Sequence, residues 1–190
     1  MSPRRHSRGQ ATVEFGISAT VLLLLLVGLI DLGRVFYFDI GFVGASREGA
    51  RQASWFDPSN TTNPNPYLYD GAIQAAVDAI LTRSGLPAGS ALQNPGTTCP
   101  SPSDGNTVHN PPYADSAYPS GNVNQPLLYI CYANTPGLDL TSAPTDNSYK
   151  GADVNVILVM NFGFATGFLQ GILGSSTHLV ANTHMTVGGF

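Results

Sequence analysis

Charge is scarce in this chain. Among 190 residues there are 8 Lys or Arg and 12 Asp or Glu, so 11% are charged, against about 25% in an average globular domain. Hydrophobic residues hold an ordinary 43% share, which argues against intrinsic disorder. The formal net charge of -4 leaves no basic footprint for nucleic acid. Only two cysteines occur, with no CxxC, so a four-cysteine zinc site is excluded. The four histidines are His6, His109, His178 and His184. The last two are six positions apart on an expected strand, roughly 20 Å at strand rise, too far to share a metal. Nucleophile elbow, phosphate loop, HExxH and Ca loop are all missing. An enzyme, a resident metal and a cofactor are therefore not expected. The length suits one domain, or a smaller domain with an appendage.

What is present lies at the N-terminus. Arg4, Arg5 and Arg8 precede Phe15–Ile30, sixteen residues without a charge. As a helix this run spans about 24 Å, slightly short of the ~30 Å of a bilayer core. Counting from Gln10 lengthens it to 21 residues but includes Glu14. A cleaved secretory signal fits the basic and apolar regions. It lacks a cleavage site, because Asp31-Leu32-Gly33-Arg34 follows the run and the nearest small-residue site is Val43-Gly44-Ala45. A plain signal anchor, held by the arginines with its N-terminus in the cytoplasm, is a second reading. Glu14 is the difficulty for both. Centred in a membrane helix a carboxylate costs about 2.5–3.5 kcal/mol, less near a helix start, where the dipole favours it. An ionisable residue here suggests a dedicated partner.

Gly9-Gln10-Ala11-Thr12-Val13-Glu14-Phe15 resembles a type IV prepilin processing site of the Flp/Tad branch. Ile30-Asp31-Leu32-Gly33-Arg34-Val35-Phe36 and Ala45-Ser46-Arg47-Glu48-Gly49-Ala50-Arg51-Gln52-Ala53 resemble the membrane-proximal segments of TadE-like pseudopilins, or minor pilins, of the Tad pilus system. The likeness is strong over about residues 9–54, looser over 152–187, and lacking over 57–150. Gln10 departs from the Phe that begins many mature type IV pilins.

The resemblance implies a leader, residues 1–9, cut after Gly9 by a prepilin peptidase so that Gln10 becomes the N-terminus. It places Glu14 and Phe15 fifth and sixth in the mature chain. It implies other pilins and pseudopilins, the Tad secretion machinery and the lipid bilayer as partners. The protein would sit in the cytoplasmic membrane with its C-terminal domain outside, or in a surface pilus that supports adhesion. Losing three arginines would take the charge from -4 to -7. The freed Gln10 amine, with an unperturbed pKa of about 7.7–8.0, would then be available to Glu14 of a neighbouring subunit. The rival reading is a signal-anchored exported binding domain that never polymerises.

Beyond the span at 10–30, residues 31–56 read as a helical continuation ended by Asp57-Pro58. Asp31–Arg34 and Glu48–Arg51 are i,i+3 pairs of opposite sign, and Arg47 joins them on a solvated or subunit-contacting face. Ala45, Gly49 and Ala53 form a small-residue stripe that admits close packing. Gly41, Gly44 and Gly49 each cost the helix about 1 kcal/mol, so a packing reason is expected for them. Residues 57–190 form the exported α+β domain. Asp70–Arg83 reads as an amphipathic helix capped by Asp70. Residues 88–126 hold seven of the fourteen prolines and read as a long functional or flexible loop. Leu127–Ala133, Asp153–Asn161 and Thr177–Val187 read as strands, with a short apolar segment at Ala165–Leu173. Cys99 in the loop and Cys131 in a strand either form a disulfide, which persists outside the cytoplasm, or stay as two buried thiols. The expected architecture is α+β and pilin-like: a long N-terminal transmembrane helix packed on a small antiparallel sheet.

Overall fold

The computed structural model describes residues 7–86, 92–93, 99–105, 110–119, 121, 123–133 and 140–188. Arg4, Arg5 and most of the expected leader, His6, His109 and part of segment 88–126 lie outside the described residues.

Helix α1 runs Ser7–Ala53, 47 residues, or about 70 Å at helical rise. No proline interrupts it. Its end comes at Ala53, ahead of the expected stop at Asp57-Pro58. The reason is tertiary. The Asn65 side-chain amide donates to the carbonyls of Trp55 (3.2 Å) and Gly188 (3.0 Å). The Asp57 N–H donates to the Pro64 carbonyl at 2.9 Å. Gly188 passes so close that a Cβ there would stand 2.7 Å from Phe56 Cβ. These partners take up backbone groups that a continued helix would need.

Helix α2, Asp70–Arg83, packs on α1 through Ile73, Val77 and Leu81, all buried. The expected cap is corrected here. Tyr69 occupies the N-cap position without a side-chain cap bond, while the Asp70 carboxylate accepts from Tyr132 Oη at 2.6 Å. A tyrosine brought in by the sheet outcompetes local capping. The small-residue stripe performs as expected. Ala45 and Ala53 are fully buried. A Cβ on Gly49 would stand 2.6 Å from Val77 Cγ2, and one on Gly41 2.8 Å from Ser84 Cβ. Gly44 differs: it is exposed and would meet Ile80 only at an ordinary 3.7 Å.

Strands β2 (Leu127–Tyr132), β3 (Asp153–Gly163) and β4 (Ser176–Thr186) form an antiparallel meander, and the two-residue β1 (Leu92–Gln93) adds a parallel edge to β2. Helix α3, Gly167–Leu173, joins β3 to β4. Alternation on β3 sends Val154, Val156, Leu158 and Met160 into the core shared with Phe42, Ile73, Val77 and Leu81. Each such side chain contributes about 1.5–3 kcal/mol on full burial. Leu179, Ala181 and Val187 are buried on the matching face of β4. There Thr183 Oγ1 meets Ser46 Oγ of α1 at 2.9 Å.

In segment 88–126 the described residues 110–119, with Cys99, cover the second sheet face, where Tyr113, Ala117 and Tyr118 pack on Tyr129, Cys131, Ile157 and Val159. Tyr129 Oη donates to the Ala117 carbonyl (2.9 Å), Asn161 Nδ2 to the Pro119 carbonyl (2.9 Å) and Asn182 Nδ2 to Tyr113 Oη (2.8 Å). Burial pushes the Tyr113 phenol up to about 12. With both faces covered, β3 reads as an almost unbroken apolar run.

Candidate functional site: the assembly helix and its exit junction

Two parts of α1 concern function: the projecting N-terminal half and the junction where the folded domain begins. In the first, every described residue from Gly9 to Ile30 is exposed or half-buried, and the helix is apolar and long enough to cross a membrane. Thr20 Oγ1 donates to the Gly16 carbonyl at 2.8 Å, which spares its hydroxyl an unmet bond in an apolar setting. Gly9, Gln10, Val13, Glu14 and Ile17 line one shallow groove on the helix surface. Gln10 and Glu14 thus share a face one turn apart, and Phe15 beside them is 73% exposed. The Gly9–Gln10 peptide bond lies in the first turn of α1, where backbone N–H groups have no intrahelical partners. Unwinding that turn to present an extended peptide breaks few hydrogen bonds.

The junction is organised by Asp31. Its side chain is fully buried, although it follows directly on the exposed apolar run. Oδ1 accepts from Arg34 Nη1 (3.1 Å) and from the Ala165 N–H (3.2 Å). Oδ2 accepts from the Thr166 N–H (3.0 Å) and from Thr166 Oγ1 (2.6 Å). The carboxylate therefore ties α1 to the β3–α3 turn, 134 positions away. The Arg34 guanidinium also lies 5.2 Å from the centroid of the Phe162 ring, a cation–π distance. Phe162 in turn contacts Phe38 and Phe164 at centroid separations of 5.6 and 5.9 Å. Gln170 Nε2 closes the turn by donating to the Phe164 carbonyl at 2.8 Å. The expected Asp31–Arg34 pair is present, but its main work is holding the turn. Ala165 and Thr166 carried no sequence signal for this role. Only a charge placed immediately after an apolar run hinted that Asp31 had a partner.

Farther along, Arg51 Nε donates to Glu48 Oε2 at 2.8 Å, with a second contact through Nη2. The Arg51 guanidinium holds the Glu48 carboxyl below its usual value. Both groups are open to water, which screens the pair, so it adds little to stability. Arg47 is exposed on the same stretch.

Cys99 and Cys131 form a disulfide with a Cα–Cα distance of 6.0 Å. It ties the covering segment to β2. We expect Cys131→Ser to lower stability by about 2–5 kcal/mol, as for a native bridge in a small exported domain. Thermal unfolding with and without reductant checks this: the reductant should shift the native chain and leave the variant unchanged. The two described histidines have separate partners. His178 stacks on Tyr118 at 3.7 Å between centroids. His184 Nδ1 contacts Asp153 Oδ2 at 2.6 Å, and Nε2 contacts Asn110 Oδ1 at 2.9 Å.

The family model described as TadE-like protein matches residues 9–51. No curated protein and no solved structure matches the chain. The matched residues begin at the Gly9–Gln10 step, include Glu14 and the Asp31–Arg34 pair, and stop at Arg51, two residues before α1 ends. Residues 9–51 are therefore similar to the TadE-like family, and the helix that carries them is apolar and long enough to cross a membrane.

Proposed function

We propose that this protein is a pseudopilin or minor pilin that takes part in assembly of a Tad-type pilus, and so supports surface adhesion. Its role is structural rather than catalytic. The observation that carries the reading is the two-part character of α1. One continuous helix is packed in a folded domain from about Asp31 onward and, apart from the Leu25–Leu29 turns beside Leu169 and Leu173, unpacked before it, with Glu14 near the start of the unpacked part. A plain anchor needs the apolar surface but has no use for a carboxylate inside it. A subunit that leaves the lipid to pack its helix against other helices has a use for both.

In this reading prepilin peptidase cuts after Gly9 on the cytoplasmic side. The arginines before it orient the chain by the positive-inside rule. Gln10 then carries a free amine for a neighbour's Glu14, and the Val21–Leu26 run passes from lipid into helix packing. The test is the N-terminus of the protein from its native membrane. Intact mass should show Gln10 first when the peptidase is present and residues 1–9 retained when it is deleted. A chain that keeps residues 1–9 beside an active peptidase supports a non-polymerising signal anchor and overturns the proposal. A start at Ser46 points to a signal peptide and overturns it too.

A further inference from the structure

Helix α3 stands beside the wrong part of α1 for a purely water-facing element. With Phe164 it lines an apolar crevice with Leu25, Gly28, Leu29 and Leu32 of α1, to which it contributes Leu169 and Leu173. Those α1 residues form the last turns of the uncharged run and the first turn after it. At the tip of α3, Ile172 is 64% and Leu173 60% exposed. No Asp, Glu, Lys or Arg follows Asp153, so nothing charged on α3 or its flanks opposes contact with lipid. The nearest charge on α1, Asp31, is buried and its carboxylate is occupied by the turn that starts α3. The exposed apolar surface also continues past Asp31 through Leu32, Phe36 and Tyr37 to Ile40.

We infer that α3 is a lipid-contacting foot, with Ile172 and Leu173 seated in the outer leaflet beside Leu25–Leu32 of the spanning helix. The inference rests on the membrane-anchored reading of α1. Continuity argues for lipid as the occupant. The tip of α3 extends, without a charged break, the surface of a helix segment that is itself in the bilayer. The uncharged run of about 24 Å is also short for a bilayer core of about 30 Å. A foot that reaches about 5–10 Å into the headgroup and acyl boundary sets the height of the domain, with the sheet held above the membrane by the Asp31 tether. The opposite end of the domain stays in water, because Trp55 lies about 36 Å along the helix direction from Asp31.

The test uses the full chain in phosphatidylcholine and phosphatidylglycerol vesicles, with and without lipids brominated near the headgroup end of the acyl chain, which reach position 172, or near its far end, which reach position 23. The native chain reports from its one tryptophan, Trp55, which should not be quenched. Two further chains carry Trp55→Phe together with either Leu23→Trp or Ile172→Trp. Both positions are exposed, so a new ring displaces no packing. The expected result is strong quenching at 23 and at 172. Quenching at 23 without quenching at 172 overturns the foot and leaves the anchor standing. No quenching at 23 overturns the anchor reading and the foot with it.

Discussion

Asp31→Ala loosens the exported domain at its junction with the membrane. The substitution leaves the N–H groups of Ala165 and Thr166 and the Thr166 hydroxyl without the acceptor they share. A fully buried donor left unmet costs about 1–3 kcal/mol, and these three, which are part-buried, fall at the low end of that range. The Arg34 guanidinium loses its partner as well, but with its side chain 36% exposed water screens most of that loss. The sum is about 3 kcal/mol, because the three donors belong to one turn and relax together. In a domain of this size that lowers the unfolding midpoint by about 6–12 °C. Circular dichroism in detergent micelles reads the midpoint, and hydrogen exchange reads the Ala165 and Thr166 amides, which should lose protection first. Asp31→Asn should recover only part, since one carboxylate oxygen becomes an NH2 group facing donors. An alanine variant with an unchanged midpoint and unchanged protection would contradict the tether.

Glu14→Ala should act in the opposite way, leaving the domain's stability untouched while abolishing assembly. Glu14 lies in the unpacked half of α1 and is exposed, so the folded domain has no stake in it. Processing should proceed, because the proposed cleavage point between Gly9 and Gln10 is more than one turn away. Inside a filament of packed helices, by contrast, the neighbour's Gln10 amine would be buried without a counter-charge. Removing one partner of such a pair costs about 3–5 kcal/mol, or roughly a thousandfold in incorporation. Glu14→Gln, which keeps shape and loses charge, should fail similarly. Immunoblots of sheared pili and of membranes give the readout. The variant should accumulate in the membrane in processed form and be missing from pili. Normal incorporation of Glu14→Ala would remove the register role.

Much of the architecture could be read from the chain because it depends on local periodicity. The absence of proline from residue 7 to 53, the uncharged run at 15–30 and the small residues at 45, 49 and 53 specify a long helix with a close-packed far half. The alternation along Leu179, Ala181, Thr183, Met185 and Val187 specifies a strand with one buried face. Where the reading failed, a distant group had taken over a local one. Asp70 looked like a cap until Tyr132 reached it across 62 positions. The helix was expected to stop at Asp57-Pro58 until Asn65 and Gly188 closed it at Ala53. Segment 88–126 read only as a long loop because prolines and glycines give no period, and the packing of its residues 110–119 on the second sheet face had no signal in that pattern. The candidate site divides in the same way. Glu14 stands out by its charge on an apolar helix, and Gly9, Gln10 and Phe15 by the resemblance of the surrounding residues to a prepilin processing site. The Asp31 junction does not, because its partners Ala165 and Thr166 lie at the other end of the chain.

Sequence alone therefore determined that this protein has a lipid-compatible helix with a carboxylate near its start, followed by a charge-poor α+β domain. Short-range spacing and composition suffice for that, since a membrane helix is specified by its own residues. Only the tertiary structure decided how that helix meets the domain. Asp31 is a surface ion pair or a buried tether according to whether the β3–α3 turn brings three donors to its carboxylate. That depends on the packing of β3 against α1, which no stretch of sequence around residue 31 contains.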